Sequence, residues 1–362
     1  MITTISKNNF LKALQATEKI ISRNINLPIL NNILLRTEKG RLRVTSTNLE
    51  IGVNYWVGAK IDEEGDIAIP ARTITDFIQN IQDDRITLTT KKNTLFINSD
   101  NYKTQILGSE TKEYPLIPQI DNEPFLKINS SVLKNVLTTV VEATSVSETR
   151  PELTGVYVHT GEGKVNFVAT DSFRLSEKNI PYKDIMENSF IIPRPTTLEI
   201  IRILSDLNED ISIIISDNQI LFKGEEFQVI SRLIEGQYPD YKRVIPDKFI
   251  SKALFNKDDL QKQIKLSSIF SSNIYDIKFE VKNDKTIISA QNQDKGEIKS
   301  SISSILKNDP FEIAINYNYL LDGLKVINSK KVIFEFTGDG SPLIIKPEEG
   351  NNQLYLIMPL RQ

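Results

Sequence analysis

Cysteine is absent from all 362 residues. Its absence excludes disulfides, thiolate metal sites and cysteine nucleophiles together, and it fits a reducing, cytoplasmic setting. Histidine occurs once, as His159 in the strand-like GVYVHT. One histidine without cysteine leaves little for histidine-built metal sites or a nucleophile–base pair. No G-x-x-x-x-G-K-[ST] phosphate loop is present, and GDGS at 338–341 reads as a hairpin turn. No apolar run approaches membrane-spanning length, and MITTISKNNF lacks the basic and then apolar pattern of a secretory signal. The expectation is a soluble, intracellular chain with no membrane partner and no cofactor. A strong charge excess is missing too: 44 Lys and Arg face 47 Asp and Glu, a net charge of −3. The chain is therefore no polycation, although a local basic surface on an acidic body is compatible with that balance.

What the sequence has is repetition. DIAIPARTITDFIQNI around Pro70 resembles SFIIPRPTTLEIIRIL around Pro193, at an offset of 193 − 70 = 123. FEIAINYNYLLDGLKVI puts Asn316 where the proline stood, at 316 − 193 = 123. Each is a β-rich run followed by a helix with apolar residues three and four apart. ISKNNFLKALQATEKII, INSSVLKNVLTTVVEAT and FNKDDLQKQIKLSSIF form a second set, in which a polar cluster precedes an amphipathic helix as an N-cap should. RLRVTSTNLE, KVNFVATDSF and KTIISAQNQD form a third. RITLTTKKNTLFI, ISIIISDNQILFK and KVIFEFTGDGSPLII form a fourth, read as hairpins turning at Lys91-Lys92-Asn93, Asp217-Asn218 and Gly338-Asp339-Gly340.

Four segment types in one order at one spacing predict three tandem copies of an α+β domain, over 1–120, 121–246 and 247–362. A period near 120 exceeds solenoid repeats, so each copy has its own core. Two proline-bearing linkers, EYPLIPQIDNEPF (113–125) and QYPDYKRVIPDKF (237–249), are extended joints. Like domains on like joints meet head to tail, and such a contact closes a ring or grows a filament. Three domains leave a free head and a free tail, which a second copy satisfies in a six-domain ring.

Thr170-Asp171-Ser172-Phe173-Arg174-Leu175, Tyr238-Pro239-Asp240-Tyr241-Lys242-Arg243-Val244, Met358-Pro359-Leu360-Arg361, Leu27-Pro28-Ile29-Leu30 and Arg150-Pro151-Glu152-Leu153-Thr154-Gly155 stand in one order along the triplicated chain. Together they resemble the bacterial DNA polymerase III beta subunit, the β sliding clamp family, over essentially all of its length. The resemblance implies a homodimeric ring that encircles duplex DNA without reading its sequence and tethers the polymerase. The clamp itself makes and breaks no bond, and a separate ATP-driven loader opens it. The chain departs from the family pattern at Ser172 and Phe173, where Gly and then His or Tyr are usual, and at Gln362, where a final Leu is common.

By that resemblance, Leu153, Thr170, Ser172, Phe173, Arg174, Leu175, Pro239, Arg243, Val244, Leu356, Met358, Pro359, Leu360 and Arg361 line a groove for short linear peptides. The peptides would come from the polymerase III alpha subunit, the clamp loader, other polymerases and repair proteins. An apolar groove with a methionine suits adaptable anchoring. TDSFRL is developed only in the second copy, where the others have STNLEI and AQNQDK, which marks it as a site rather than scaffold. Phosphate contact without base contact keeps a ring mobile. Helix cations Lys12, Lys19, Lys134, Arg202, Lys262, Lys265 and Lys325 are the expected source, with Arg23 and Arg150 added by resemblance. The subunit contact is expected at Tyr102, Thr104 and Ile106 of one domain and Ile269 and Phe270 of another.

Two other classes compete. A carboxylate-pair hydrolase is compatible with the abundance of acids, but no pair stands out and a repeated domain argues against one composite active site. A three-domain scaffold that never encircles DNA explains the repeats and the groove. Dependence on DNA topology separates it from a ring.

Overall fold

A computed structural model of the chain describes residues 1–21, 26–183, 186–350 and 352–360. The described residues carry six α-helices: α1 Lys7–Glu18, α2 Ala71–Asn80, α3 Ser130–Val140, α4 Arg194–Ile203, α5 Lys257–Ser268 and α6 Tyr317–Val326. The first residues of α2, α4 and α6 obey the sequence period, since 194 − 71 and 317 − 194 are both 123. In each case a strand runs directly into the helix. Pro70 and Pro193 end the first two of these strands, and Asn316 ends the third, where its side chain accepts from the Asn318 amide at 2.9 Å.

The first helix of each copy also follows a strand without a break, which moves the caps from where the sequence put them. Asn8-Asn9 and Asp258-Asp259 lie inside their helices. The caps are the residues ending the preceding strands: Asn256 accepts from the Asp259 amide at 3.1 Å, and Asn129 from the Ser131 amide at 3.0 Å. Ser6 makes no side-chain cap. Helix α5 shows the remaining logic: Leu260 and Ile264 bury one face, acids occupy the first turn and Lys265 the last.

The chain divides into two compact units, Met1–Lys134 with Leu198–Leu233, and Asn135–Thr197 with Ile234–Gln362. The middle copy of the repeat contributes to both. In the first unit a twelve-stranded antiparallel sheet runs in the order 103–107, 94–98, 85–91, 2–6, 51–63, 227–232, 219–223, 210–216 and 126–129, with strands 32–38, 41–47 and 66–70 attached off this path. The 13-residue strand Ile51–Glu63 carries two partners: its early residues pair with Phe227–Arg232 and its late ones with Ile2–Ser6.

The second unit has a nine-stranded sheet in the order 188–193, 155–161, 164–170, 174–181, 353–357, 343–347, 331–336, 251–256 and 305–307. A separate four-stranded sheet holds 296–303, 285–292, 276–282 and 311–316. Phe255, Phe279 and Phe334 anchor the core of its C-terminal part, against Leu260, Leu320 and Leu324 of the helices. The three hairpins expected from sequence are present, with Lys92 and Asp217 at φ +50° and +43° in their two-residue turns.

Candidate functional site

The turn of TDSFRL joins strands Lys164–Thr170 and Arg174–Pro181. Asp171 Oδ1 accepts from the amides of Phe173 and Arg174, both at 3.0 Å. Thr170 Oγ1 accepts from the Ser172 amide at 3.2 Å and donates to the Arg174 carbonyl at 2.6 Å. These bonds bend the chain so tightly that Ser172 sits at φ +76°, a region glycine adopts far more readily. Phe173 is thrown outward and is 61% exposed.

The same turn is built in the first copy. Asn48 Oδ1 accepts from Glu50 and Ile51 at 3.0 and 2.8 Å, Thr47 Oγ1 bonds the Leu49 amide and the Ile51 carbonyl, and Leu49 has φ +78°. In the third copy Asn292 Oδ1 accepts from Asp294 and Lys295. The backbone device is therefore shared in full by the first two copies and in its Asx bonds by the third, and only its side chains are particular to the second copy. This corrects the expectation that the whole feature belongs to one domain.

Arg174 was expected to line the groove, but its guanidinium turns inward. It pairs with Asp171 at 2.9 Å and with Asp322 of α6 at 2.5 Å, lies 3.5 Å from the Tyr355 hydroxyl and sits 4.6 Å from the Tyr319 ring centroid. Burial disfavours its charge, but Tyr355, Asp322 and Asp171 outweigh that and hold its pKa above the usual value. Asp171 stands in the same motif, but Tyr319, Asp322 and Tyr355 were not expected, because they lie far away in sequence. The helix reaches this position only because residue 323 is glycine: a Cβ there would fall 2.5 Å from the Tyr355 ring.

Leu175 pairs with Leu356, and Arg174 with Ile357, across neighbouring strands. Leu153, Leu175 and Leu356 are buried with Tyr238 and Tyr241 in one cluster, so they form a floor rather than an open lining. Tyr157 stacks on Tyr238 at 4.4 Å. The Tyr241 hydroxyl donates to Glu177 at 3.2 Å, and burial pushes the Glu177 carboxyl above its ordinary pKa. Tyr241 belongs to a short 3-10 turn, Tyr241–Val244, which carries Arg243 and the half-exposed Val244; Pro239 precedes it. Arg243 is exposed and pairs with Asp240 at 2.8 Å.

On the other side the Met358 amide donates to the Phe173 carbonyl at 2.8 Å, and the Leu360 amide to the Ala314 carbonyl at 2.8 Å. Met358, Pro359 and Leu360 also line a cavity of about 620 Å³ with Phe336 and Gly338. Arg361 lies outside the described residues. Thr170, Ser172, Phe173, Leu175, Leu356 and Met358 are thus brought together around one turn. Arg150, expected at DNA, stands beside this turn with its guanidinium half-exposed: it bonds Glu152 at 3.0 Å and reaches Ser172 Oγ at 3.4 Å.

The other expected DNA contacts divide. Lys12, Lys19, Lys262, Lys265 and Lys325 are exposed on or beside α1, α5 and α6, while Lys134 is half-buried. Arg202 is not a solvated cation, for it pairs with Glu199 and donates to the Ala16 carbonyl at 2.8 Å, tying α4 to α1. Arg23 lies outside the described residues. Of the expected subunit contacts, Thr104 lies on the sheet-edge strand Lys103–Leu107 and Tyr102 just before it, but Ile106 is buried and Leu107 is the exposed side chain, at 73%. Ile269 is exposed beyond α5, whereas Phe270 packs partly on its own core.

Family profiles of the DNA polymerase III beta subunit match in three parts: the N-terminal domain at residues 1–118, the central domain at 127–240 and the C-terminal domain at 242–361. The chain belongs to the DNA polymerase III beta subunit family. A Beta sliding clamp from Staphylococcus aureus (strain Mu50) is 31% identical over 99% of this chain and 98% of its own. Among solved structures, the beta chain of DNA polymerase III from Streptococcus pneumoniae TIGR4 is 26% identical, with a TM-score of 0.94 and full coverage of both chains. The Pseudomonas aeruginosa sliding clamp bound to griselimycin is 25% identical, again with a TM-score of 0.94 and full coverage of both. The chain carries three tandem clamp domains of mixed α and β structure, and its function is that of a DNA sliding clamp for DNA polymerase III. It is a processivity factor without catalytic chemistry, and membership implies DNA, a polymerase and a second copy of the chain as partners. Among the described residues no helix is long and apolar enough to cross a membrane.

Proposed function

We propose that two copies of this chain, each divided near 1–120, 121–246 and 247–362, join head to tail as a six-domain ring around duplex DNA in the cytoplasm. The observation that carries this reading is a pair of sheet edges without a partner strand among the described residues, Lys103–Leu107 and Gly296–Ser303, each ending its own sheet. Exposed edges invite pairing with another chain. The apolar Leu107 and Ile269, 73% and 55% exposed, would be covered by that contact.

The exposed lysines of α1, α5 and α6 supply non-specific attraction for phosphates, while Arg150 and Arg202 serve the protein's own structure. The groove around Phe173, Met358 and Val244 takes short apolar peptide segments from the polymerase alpha subunit, the clamp loader and repair proteins. A loader driven by ATP opens the ring. The test loads labelled protein onto nicked circular DNA with a cognate loader and linearises half the sample. Retention on circles with rapid loss from linear ends is expected. Equal retention on both forms would favour a scaffold that never encircles DNA.

A further inference from the structure

Residues 111–121 strap across one face of the first unit's sheet and line a partly open cavity of about 750 Å³. That size falls among small-molecule sites. Leu34 and Ile230 give it an apolar floor, and Pro115 lies in the strap above. Arg43, Trp56 and Lys112 line its polar side.

Arg43 is the unusual group. Its side chain is 20% exposed and pairs with Glu38 at 3.2 Å, but its buried Nε–H has no acceptor. The other Glu38 oxygen accepts from the Trp56 indole N–H at 2.6 Å, so both carboxylate oxygens have a partner and neither is left for the Arg43 Nε–H. Arg36 is spoken for by Asp66 at 2.8 Å. Lys112 has no ion-pair partner among the described residues. A guanidinium with an unsatisfied N–H, beside a lysine without an ion-pair partner at a partly open cavity, favours an anionic guest.

The repeat shows that this chemistry is not a scaffold requirement. Arg36 pairs with Arg43 across one hairpin, and Arg43 with Trp56 across the next. At the same registers in the second copy, 123 residues on, stand His159, Asn166 and Asn179. The same strands and turns are built there without the cations or the indole.

We infer that the first-joint cavity is a binding site for a small organic anion with a flat apolar body, its charge held by Arg43 with Lys112 and its body against Trp56 and Ile230. Trp56 is the chain's one tryptophan, so the chain's tryptophan emission comes from a residue that lines this cavity. The probe is 8-anilinonaphthalene-1-sulfonate, titrated into the full chain with Trp56 emission and energy transfer to the probe as readouts. Saturable quenching at one site is expected, weakened about tenfold or more in Arg43→Gln and unchanged in His159→Gln. Gln228→Phe, which places a larger side chain in the cavity lining and leaves Arg43 and Glu38 unchanged, should abolish it and covers the case in which Arg43→Gln does not fold. 2-Naphthoate should compete while 2-naphthalenemethanol should not. Quenching that survives both variants, absence of saturation, or displacement by inorganic phosphate alone at the same concentration would overturn the inference.

Discussion

Ser172→Gly isolates the strain in the candidate groove. At φ +76° a side chain meets its own backbone, which disfavours the conformation by about 1–2 kcal/mol, whereas glycine is free to adopt it. Against this, glycine loses more freedom on folding, by about 0.5–1 kcal/mol. The 3.4 Å contact from Arg150 to Ser172 Oγ is exposed and adds little. The turn should therefore gain about 0.5–1 kcal/mol, since the bonds to Asp171 and Thr170 that shape it remain. The direct readout is hydrogen exchange at the Phe173 and Arg174 amides, both bonded to Asp171 Oδ1. Their protection should rise about 2- to 5-fold. Leu49→Gly, at φ +78° in the first copy's turn, is the internal control and should move the Glu50 and Ile51 amides the same way. Lower or unchanged protection in both variants would refute the strain argument and leave the Asx bonds as the sole determinant of the turn.

Two further outcomes follow from the packing beside the groove. Gly323→Ala forces a methyl to within 2.5 Å of a Tyr355 ring that is 2% exposed. Overpacking of about 1–3 kcal/mol exceeds the helix-propensity gain of up to about 1 kcal/mol, so a lower urea midpoint is expected, and an unchanged midpoint would mean that Tyr355 relaxes freely. Glu177→Gln tests the raised pKa of a buried carboxyl. The folded state binds the extra proton, so this residue's contribution to stability is present in acid and lost as pH rises from the ordinary glutamate range through the folded pKa. The amide should therefore raise the melting temperature at pH 7.5 and bring no gain near pH 4, and a gain of equal size at both pH values would exclude titration as the cause.

Much of the fold was legible because its signals are local. The 123-residue spacing, the hairpin turns and the amphipathic helices each depend on neighbours in sequence, and each was found where expected. The caps of α1, α3 and α5 were displaced because strand and helix abut, so the polar clusters became first-turn residues. The shared turn of Thr47-Asn48-Leu49 and Thr170-Asp171-Ser172 was missed because the eye followed the differing side chains. The Thr-Asx pair common to both was the available signal, since such side chains bond their own backbone two and three residues on. The partners of Arg202 and Arg150 were not legible for the opposite reason. A charge on a helix or loop does not reveal its partner, and the carbonyl that Arg202 holds, Ala16, lies 186 residues away in sequence. The inward turn of Arg174 was hidden in the same way by Asp322, 148 residues on.

The bond from Met358 to Phe173 joins groove walls separated by 358 − 173 = 185 residues. During synthesis the turn at Phe173 leaves the ribosome first and waits for the opposing segment, for about 10–40 s at common elongation rates. Throughout that interval Leu175 lacks Leu356 and the groove has one wall. A nascent chain therefore passes most of its synthesis without the proposed peptide groove, and a fragment ending short of residue 356 would keep the turn yet lack its opposing wall.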